Sequence, residues 1–228
     1  MRLPISFRWC VFAIAAVAIT VVWGAYAQVV RELLDTQTRE AVAKAEVMVR
    51  AFAKSTHRAV HEVDITLRSL SLEFGESGLP GIRNFLDQTL YDPTLIHHFT
   101  VLDADGTVLL RSEGPGGRTN ERDETAFAFH QGTGRDLMHI GTPFPGTTGG
   151  GPLLRLSRRL TDGDGGFAGI VIANIDPDIL AEFYQQANLG PQGAVTLIGM
   201  DTMIRARGAS RGVEAVGLAI PQSRLWGE

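Results

Sequence analysis

Apolar residues follow three successive rhythms along the chain. The first is a nearly unbroken run over residues 9–27, interrupted only by Thr20 and Gly24. At about 1.5 Å per helical residue the run reaches roughly 28 Å, close to the hydrocarbon thickness of a bilayer. Trp9 at one end and Trp23 with Tyr26 near the other are rings that settle at membrane interfaces, and Arg2 and Arg8 favour a cytoplasmic N-terminus. The pattern predicts a cytoplasmic tail over 1–8, a transmembrane helix over 9–27, and everything after it outside. Ala25, Tyr26 and Ala27 also read as the cleavage site of a secretory signal. Against cleavage, Val29, Val30, Leu33 and Leu34 carry the apolar helical face onward without a breaker. Either way, the remainder lies outside the cytoplasm.

The second rhythm has a helical period. No proline or glycine occurs over 28–74, while Val42, Ala45, Val49, Phe52, Thr56, Val60, Val63, Leu67 and Leu70 recur at spacings of three or four. This predicts one long stalk helix whose stripe either packs on the chain's own downstream domain or forms the seam of a homodimer. A Gly/Pro-rich stretch over 75–81 breaks it, and a short helix follows near 82–90.

The third rhythm alternates with a period of two. Strands are expected over 98–102 and 107–111, joined by a turn in which Asp105-Gly106 favours positive φ. A short helix over 123–130, capped by Asn120 or Asp123, comes next. Strands over 137–143, 153–160 and 167–175 follow, then a helix over 176–188 capped by Asp176 with Pro177 in its first turn, and a hairpin at 195–198 and 203–206. The fold class is therefore α+β: an N-terminal transmembrane helix and long stalk helix leading to an antiparallel five-stranded sheet with flanking helices.

Composition adds little to this picture and excludes much. A formal charge of −4 among 228 residues, with 44% hydrophobic residues, describes a folded protein with one apolar segment, not a nucleic-acid binder. The single cysteine, Cys10, lies inside the apolar run, so no intramolecular disulfide or Cys-based zinc site can form. No nucleophile elbow, zincin helix, P-loop or dinucleotide fingerprint is present, and the chain reads as no enzyme, with no cofactor. His57 and His61 have the spacing of a metal pair but read better as exposed stalk residues, and Asp162 with Asp164 lacks the further ligands of a calcium loop. His97 and His98, adjacent in a strand, should point to opposite faces and make no joint site.

Four stretches together resemble a known family. They are Val101-Leu102-Asp103-Ala104-Asp105-Gly106; Arg122-Asp123 with Phe127 and His130; Leu156-Ser157-Arg158-Arg159-Leu160 with Asp164-Gly165-Gly166-Phe167-Ala168-Gly169; and Asn174-Ile175-Asp176 with Phe183-Tyr184. In this order, behind a membrane helix and stalk, they resemble the double-Cache (PDC-type) periplasmic sensor domains of membrane-bound diguanylate cyclases, histidine kinases and related receptors. The resemblance implies two PAS-like lobes beside a long helix. Residues 75–190 correspond to the first lobe, and 191–228 to the start of a truncated second one. It implies small-molecule sensing in signal transduction at the bacterial inner membrane, with the output domain absent from this chain. The alternative is a non-signalling, membrane-anchored or secreted ligand-binding module.

In such a lobe the pocket lies between the sheet and its covering helix and loops. Alternation over 153–160 puts Arg155, Ser157 and Arg159 on one face and leaves Arg158 as the odd charge among Leu154, Leu156 and Leu160, in need of a carboxylate or an anionic ligand. Asp123, Phe127 and His130 share a helical face. The expected ligand-binding set is Asp123, Phe127, His130 and Arg158, facing a small molecule for which an anion is the natural choice. The competing expectation makes Asp123 a helix cap or a partner of Arg158, and Phe127 core. The tyrosine, arginine, tryptophan and aspartate pattern of the family's amino-acid binders is not traceable, so no amino-acid ligand is implied.

Overall fold

The computed structural model describes residues 5–88, 91–113, 120–133, 136–146, 151–181, 193–209 and 216–221, with backbone alone at 5–16, 33–38, 40, 133, 181 and 209. The chain divides into two compact units, with the boundary between Ala51 and Phe52.

Helix α1, Ile5–Asp87, accounts for the first unit and opens the second. In the first unit Val17, Ile19, Val21, Val22, Trp23 and Tyr26 are exposed, as are Val42 and Val49 further on. The expected transmembrane segment is helical throughout, yet among the described residues no helix is long and apolar enough to cross a membrane. Only the backbone is described over residues 9–16 of that segment.

In the second unit the apolar stripe is covered. Val63, Leu67 and Leu70 are fully buried, and each such side chain contributes about 1.5–3 kcal/mol by leaving water. The expected break before residue 82 is narrower than the sequence suggests. One residue, Gly78 (φ 64°, ψ −153°), leaves helical geometry ahead of Pro80, and helix resumes to Asp87.

The sheet comprises β1 (Ile96–Asp103), β2 (Val108–Arg111), β3 (His139–Ile140), β4 (Phe144–Pro145), β5 (Pro152–Thr161) and β6 (Phe167–Ile175), in the order β2-β1-β6-β5-β3, with β4 also on β5. All pairings are antiparallel. It therefore has six strands where five were expected. The single strand foreseen over 137–143 stops at Ile140, and a second short piece begins at Phe144: Gly141 still donates to Arg155 O at 2.8 Å, but Pro143 has no N–H to give to a ladder and the register has shifted by one residue at Phe144.

Turn chemistry closes the hairpins as anticipated. The Asp103 carboxylate accepts from the Asp105 and Thr107 N–H groups at 3.0 and 2.8 Å, and Gly106 takes φ 87°. Asp162 does the same for Asp164 and Gly166 at 3.1 and 2.6 Å. At the centre of the sheet Gly169 (φ 135°) is indispensable, since a Cβ there would lie 2.0 Å from Leu102 O.

One face of the sheet carries α1. Val63, Leu67, Leu70 and Ile82 pack with Ile96, Phe99, Val101, Leu154, Leu156, Leu160, Val171, Ala173 and Ile175. The opposite face carries α2 (Glu124–Thr133), where Ala126 and Phe127 join Leu102, Val108, Ile170 and Ile172. After β6 come α3 (Pro177–Ala181), capped by Asp176 as expected, and the hairpin β7 (Ala194–Ile198) with β8 (Ile204–Ala209). The expected continuation of α3 to residue 188 lies outside the described residues. Met203 forms a bridge with Ala219, and Ile204 N–H donates to Leu218 O at 2.9 Å, adding a short third segment to that hairpin.

Candidate functional site

The side chains with the most unusual polar environments gather on the α2 face. Asp123 positions the helix: its Oδ1 accepts from the Thr125 and Ala126 N–H groups at 3.0 and 3.2 Å, and its carbonyl accepts from Phe127 at 2.9 Å. That cap turns Phe127 and His130 toward the sheet. Phe127 is fully buried, edge-on to Phe167 with ring centres 5.8 Å apart, and Arg122 lies 4.6 Å above its ring. It is a core residue that also forms part of the floor of this face.

His130 is fully buried. Its Nε2 lies 3.0 Å from Ser157 Oγ, its carbonyl accepts from Arg159 at 2.9 Å, and its Nδ1 is buried with no partner among the described residues. Burial, reinforced by His139, Arg158 and Arg159, pushes its pKa down to about 4, so it is neutral near pH 7. His139, whose ring centre is 6.1 Å away, is also held below its ordinary value, mainly by burial.

Arg155 reaches the same face from β5. Its guanidinium sits 3.9 Å above the Phe144 ring and, among the described residues, makes no ion pair or hydrogen bond. Burial holds it below the usual arginine range while the charges of Asp123 and Glu121 act in the other direction. Nearby, Arg111 pairs with Glu121 and keeps a buried Nε without a partner among the described residues. Asn174, also buried, is 3.4 Å from His98 O and 3.5 Å from Thr100 Oγ1.

The sheet separates the four expected residues. Asp123, Phe127 and His130 are together on the α2 face. Arg158 points the other way, to α1, with Nε donating to Asp64 Oδ1 at 3.0 Å and Nη1 donating to the Asp136 carboxylate. The carboxylate that this arginine requires is thus supplied by Asp64 and Asp136, not by Asp123. Sequence reasoning passed over Arg155 and His139, although strand alternation had already placed Arg155 opposite Arg158. What alternation could not tell is which face α2 covers.

His97 and His98 correct another expectation. Their Nδ1 atoms are 3.2 Å apart, because a register irregularity between Ile96 and His98 breaks strict alternation and lets adjacent side chains meet. His57 and His61 are exposed and stacked, ring centres 6.0 Å apart. Among the described residues no group of three or more His, Cys, Asp or Glu side chains could hold a metal ion.

The other face of the sheet offers a different environment, an open cleft of about 430 Å³ lined by Val60, Ile140, Leu154, Leu180 and Leu197, with Arg205 bonded to Asp201 at 2.8 Å. It is mainly apolar, and its charge is already paired.

Solved structures share this architecture. The extracellular domain of rpHK1S-Z16, described as a histidine kinase, superposes with a TM-score of 0.65 at 24% identity, covering 78% of this chain and 73% of that one. This chain shares the fold of that extracellular domain. The ligand-binding domain of the Pseudomonas aeruginosa PAO1 chemoreceptor PctC, in complex with GABA, gives a TM-score of 0.57 at 12% identity over 79% of this chain and 78% of its own. That of the Pseudomonas fluorescens chemoreceptor CtaA, in complex with L-serine, gives 0.56 at 10% identity over 78% and 74%. No protein-family model matches the chain. No curated protein matches it. At these identities the likeness speaks for the fold alone.

Proposed function

We propose that this chain is the extracytoplasmic small-molecule-sensing segment of a membrane-bound bacterial signal-transduction receptor, whose output domain is not part of the chain. The ligand meets the α2 face of the sheet, and it carries a carboxylate or comparable anion. The observation behind this reading is Arg155, a guanidinium over an aromatic ring on the polar face of the sheet, with no carboxylate of its own among the described residues. His130 Nδ1, buried beneath the same helix and unpartnered among the described residues, adds a second point of recognition. Both ligands named for the chemoreceptor domains of like fold, L-serine and GABA, bear a carboxylate that such an arginine would hold bidentately.

In this reading Asp123, Phe127 and His130 keep their expected places around the ligand, and Arg155 takes the role expected of Arg158. The exposed apolar residues from Val17 to Val29 are the part of α1 that enters the membrane. Val42 and Val49, exposed on the stripe that is buried further along, provide a seam for a homodimer.

A thermal-shift screen of the full chain in mild detergent, against small carboxylates, amino acids, polyamines and nucleobases, tests the proposal. A ligand at a hundredfold excess over its Kd stabilises the fold by about 2.7 kcal/mol, a readable shift. Carboxylate hits that vanish in Arg155→Ala and weaken in Arg155→Lys support the reading, because lysine cannot reproduce the fork. Hits confined to polyamines, or unaffected by Arg155→Ala, refute it.

A further inference from the structure

Residues 136–139 lead into β3 at the rim of the sheet, and their side chains serve both faces. Asp136 accepts from Arg158 through its carboxylate and, at 3.2 Å, through its carbonyl. It also lies 3.9 Å from Arg68. Arg158 in turn holds Asp64 at 2.9 Å, so Asp64 and Arg68, one turn apart on α1, are both tied to this short segment. Met138 packs into the core beneath α1. His139, one residue later, belongs to the opposite face: it pairs in register with Ser157 and its ring lies 5.0 Å from Phe129 and 6.1 Å from His130.

Resting on the reading that ligands meet the α2 face, we propose that residues 136–139 are a coupling strap, through which changes around His139 and His130 alter the ion-pair anchor that fixes α1 to the sheet. Close-packed interiors transmit strain, and the strap gives that strain a covalent route around the rim of the sheet, beside the direct one from His130 to Ser157. The strap is only four residues long and held at both ends, at Asp136 by a side chain and a carbonyl and at His139 by a strand pairing. A displacement of His139 therefore moves Asp136, and with it the carboxylate that Arg158 shares between the strap and Asp64. Arg158 is 6% exposed, so water is a poor substitute for either carboxylate. Coupling of this kind is reciprocal, and loosening the anchor from the α1 side must loosen the histidine side equally.

The test is amide hydrogen exchange on the full chain in detergent, comparing the unmodified protein with Asp64→Asn and His139→Ala, without any ligand. Asp64→Asn is expected to speed exchange roughly tenfold near residues 60–70, and to produce a matching rise in 136–140 and α2. His139→Ala is expected to do the reverse, raising exchange on α1 at residues 60–70. His139→Asn, which keeps a polar group and much of the volume, gives the same readout should the alanine variant fail to fold. Changes that stay on the mutated side of the sheet in both directions overturn the proposal. No ligand enters the experiment, so an empty ligand screen leaves a two-sided result standing, and a one-sided result leaves the ligand reading untouched.

Discussion

His130 Nε2 lies 3.0 Å from Ser157 Oγ, while the opposite ring nitrogen, Nδ1, is buried without a partner among the described residues. The imidazole is thus fixed in orientation and poorly placed to accept a proton, with His139, Arg158 and Arg159 adding to the cost.

Acid should therefore weaken the fold through this residue. The folded-state pKa of about 4 lies below the ordinary 6.5, so between those values the unfolded chain binds more protons and stability falls as pH falls. The loss begins near pH 6.5, is complete below about pH 4, and amounts to up to about 3 kcal/mol from this group. His98 and His139 are shifted in the same direction and add to the slope. Urea midpoints measured from pH 8 to pH 4 should show the decline, and His130→Gln should flatten it. An undiminished slope in that variant assigns the effect to other groups.

Removing Arg158 strands two carboxylates, one of them half-buried. Because both carboxylates keep some contact with water, Arg158→Ala should cost about 1.5–3 kcal/mol in chemical denaturation, whereas Arg158→Met, which retains apolar volume beside Leu156 and Leu160, should cost distinctly less. A loss below about 0.5 kcal/mol for alanine would show that the cluster behaves like an exposed surface pair.

Two substitutions separate the roles of Asp123. Asp123→Ala removes the cap of α2 and should destabilise by about 1 kcal/mol. Asp123→Asn keeps a capping oxygen but removes the negative charge acting on Arg155 and His139. It should leave the melting temperature nearly unchanged and tighten binding of an anionic ligand, measurable by calorimetry once the screen has supplied one.

Gly169→Ala should abolish cooperative unfolding or cost more than about 4 kcal/mol, since its Cβ would collide with a central strand's backbone and not with a movable side chain. Circular dichroism melts are sufficient to decide this.

Much of the architecture could be read from local chemistry. The cap at Asp123, the hairpin turns at Asp103 and Asp162, and the apolar stripe at Val63, Leu67 and Leu70 each depend on residues close in sequence, and each is where periodicity put it. The failures have longer range. Nothing local announces that Arg158 will find Asp64, 94 positions away, or that α2 will cover the face bearing Arg155. The His97 and His98 contact escaped because alternation assumes an unbroken register, and the irregularity beside it depends on how β1 meets β6. Three of the four expected residues share a face of the sheet; the fourth, Arg158, lies on the opposite face, where alternation put it with Leu154, Leu156 and Leu160.

The strand order has one more consequence. The long ladders of β1, β5 and β6 lie inside the sheet, and the rims are left to β2, of four residues, and to β3 and β4, of two residues each. Beyond Ser157, where β3 stops pairing, β5 is tied to α1 through the buried Arg158 and carries Arg159 on its other face. Rims so short are poor templates for a foreign strand, so the sheet offers little edge to which another chain could add.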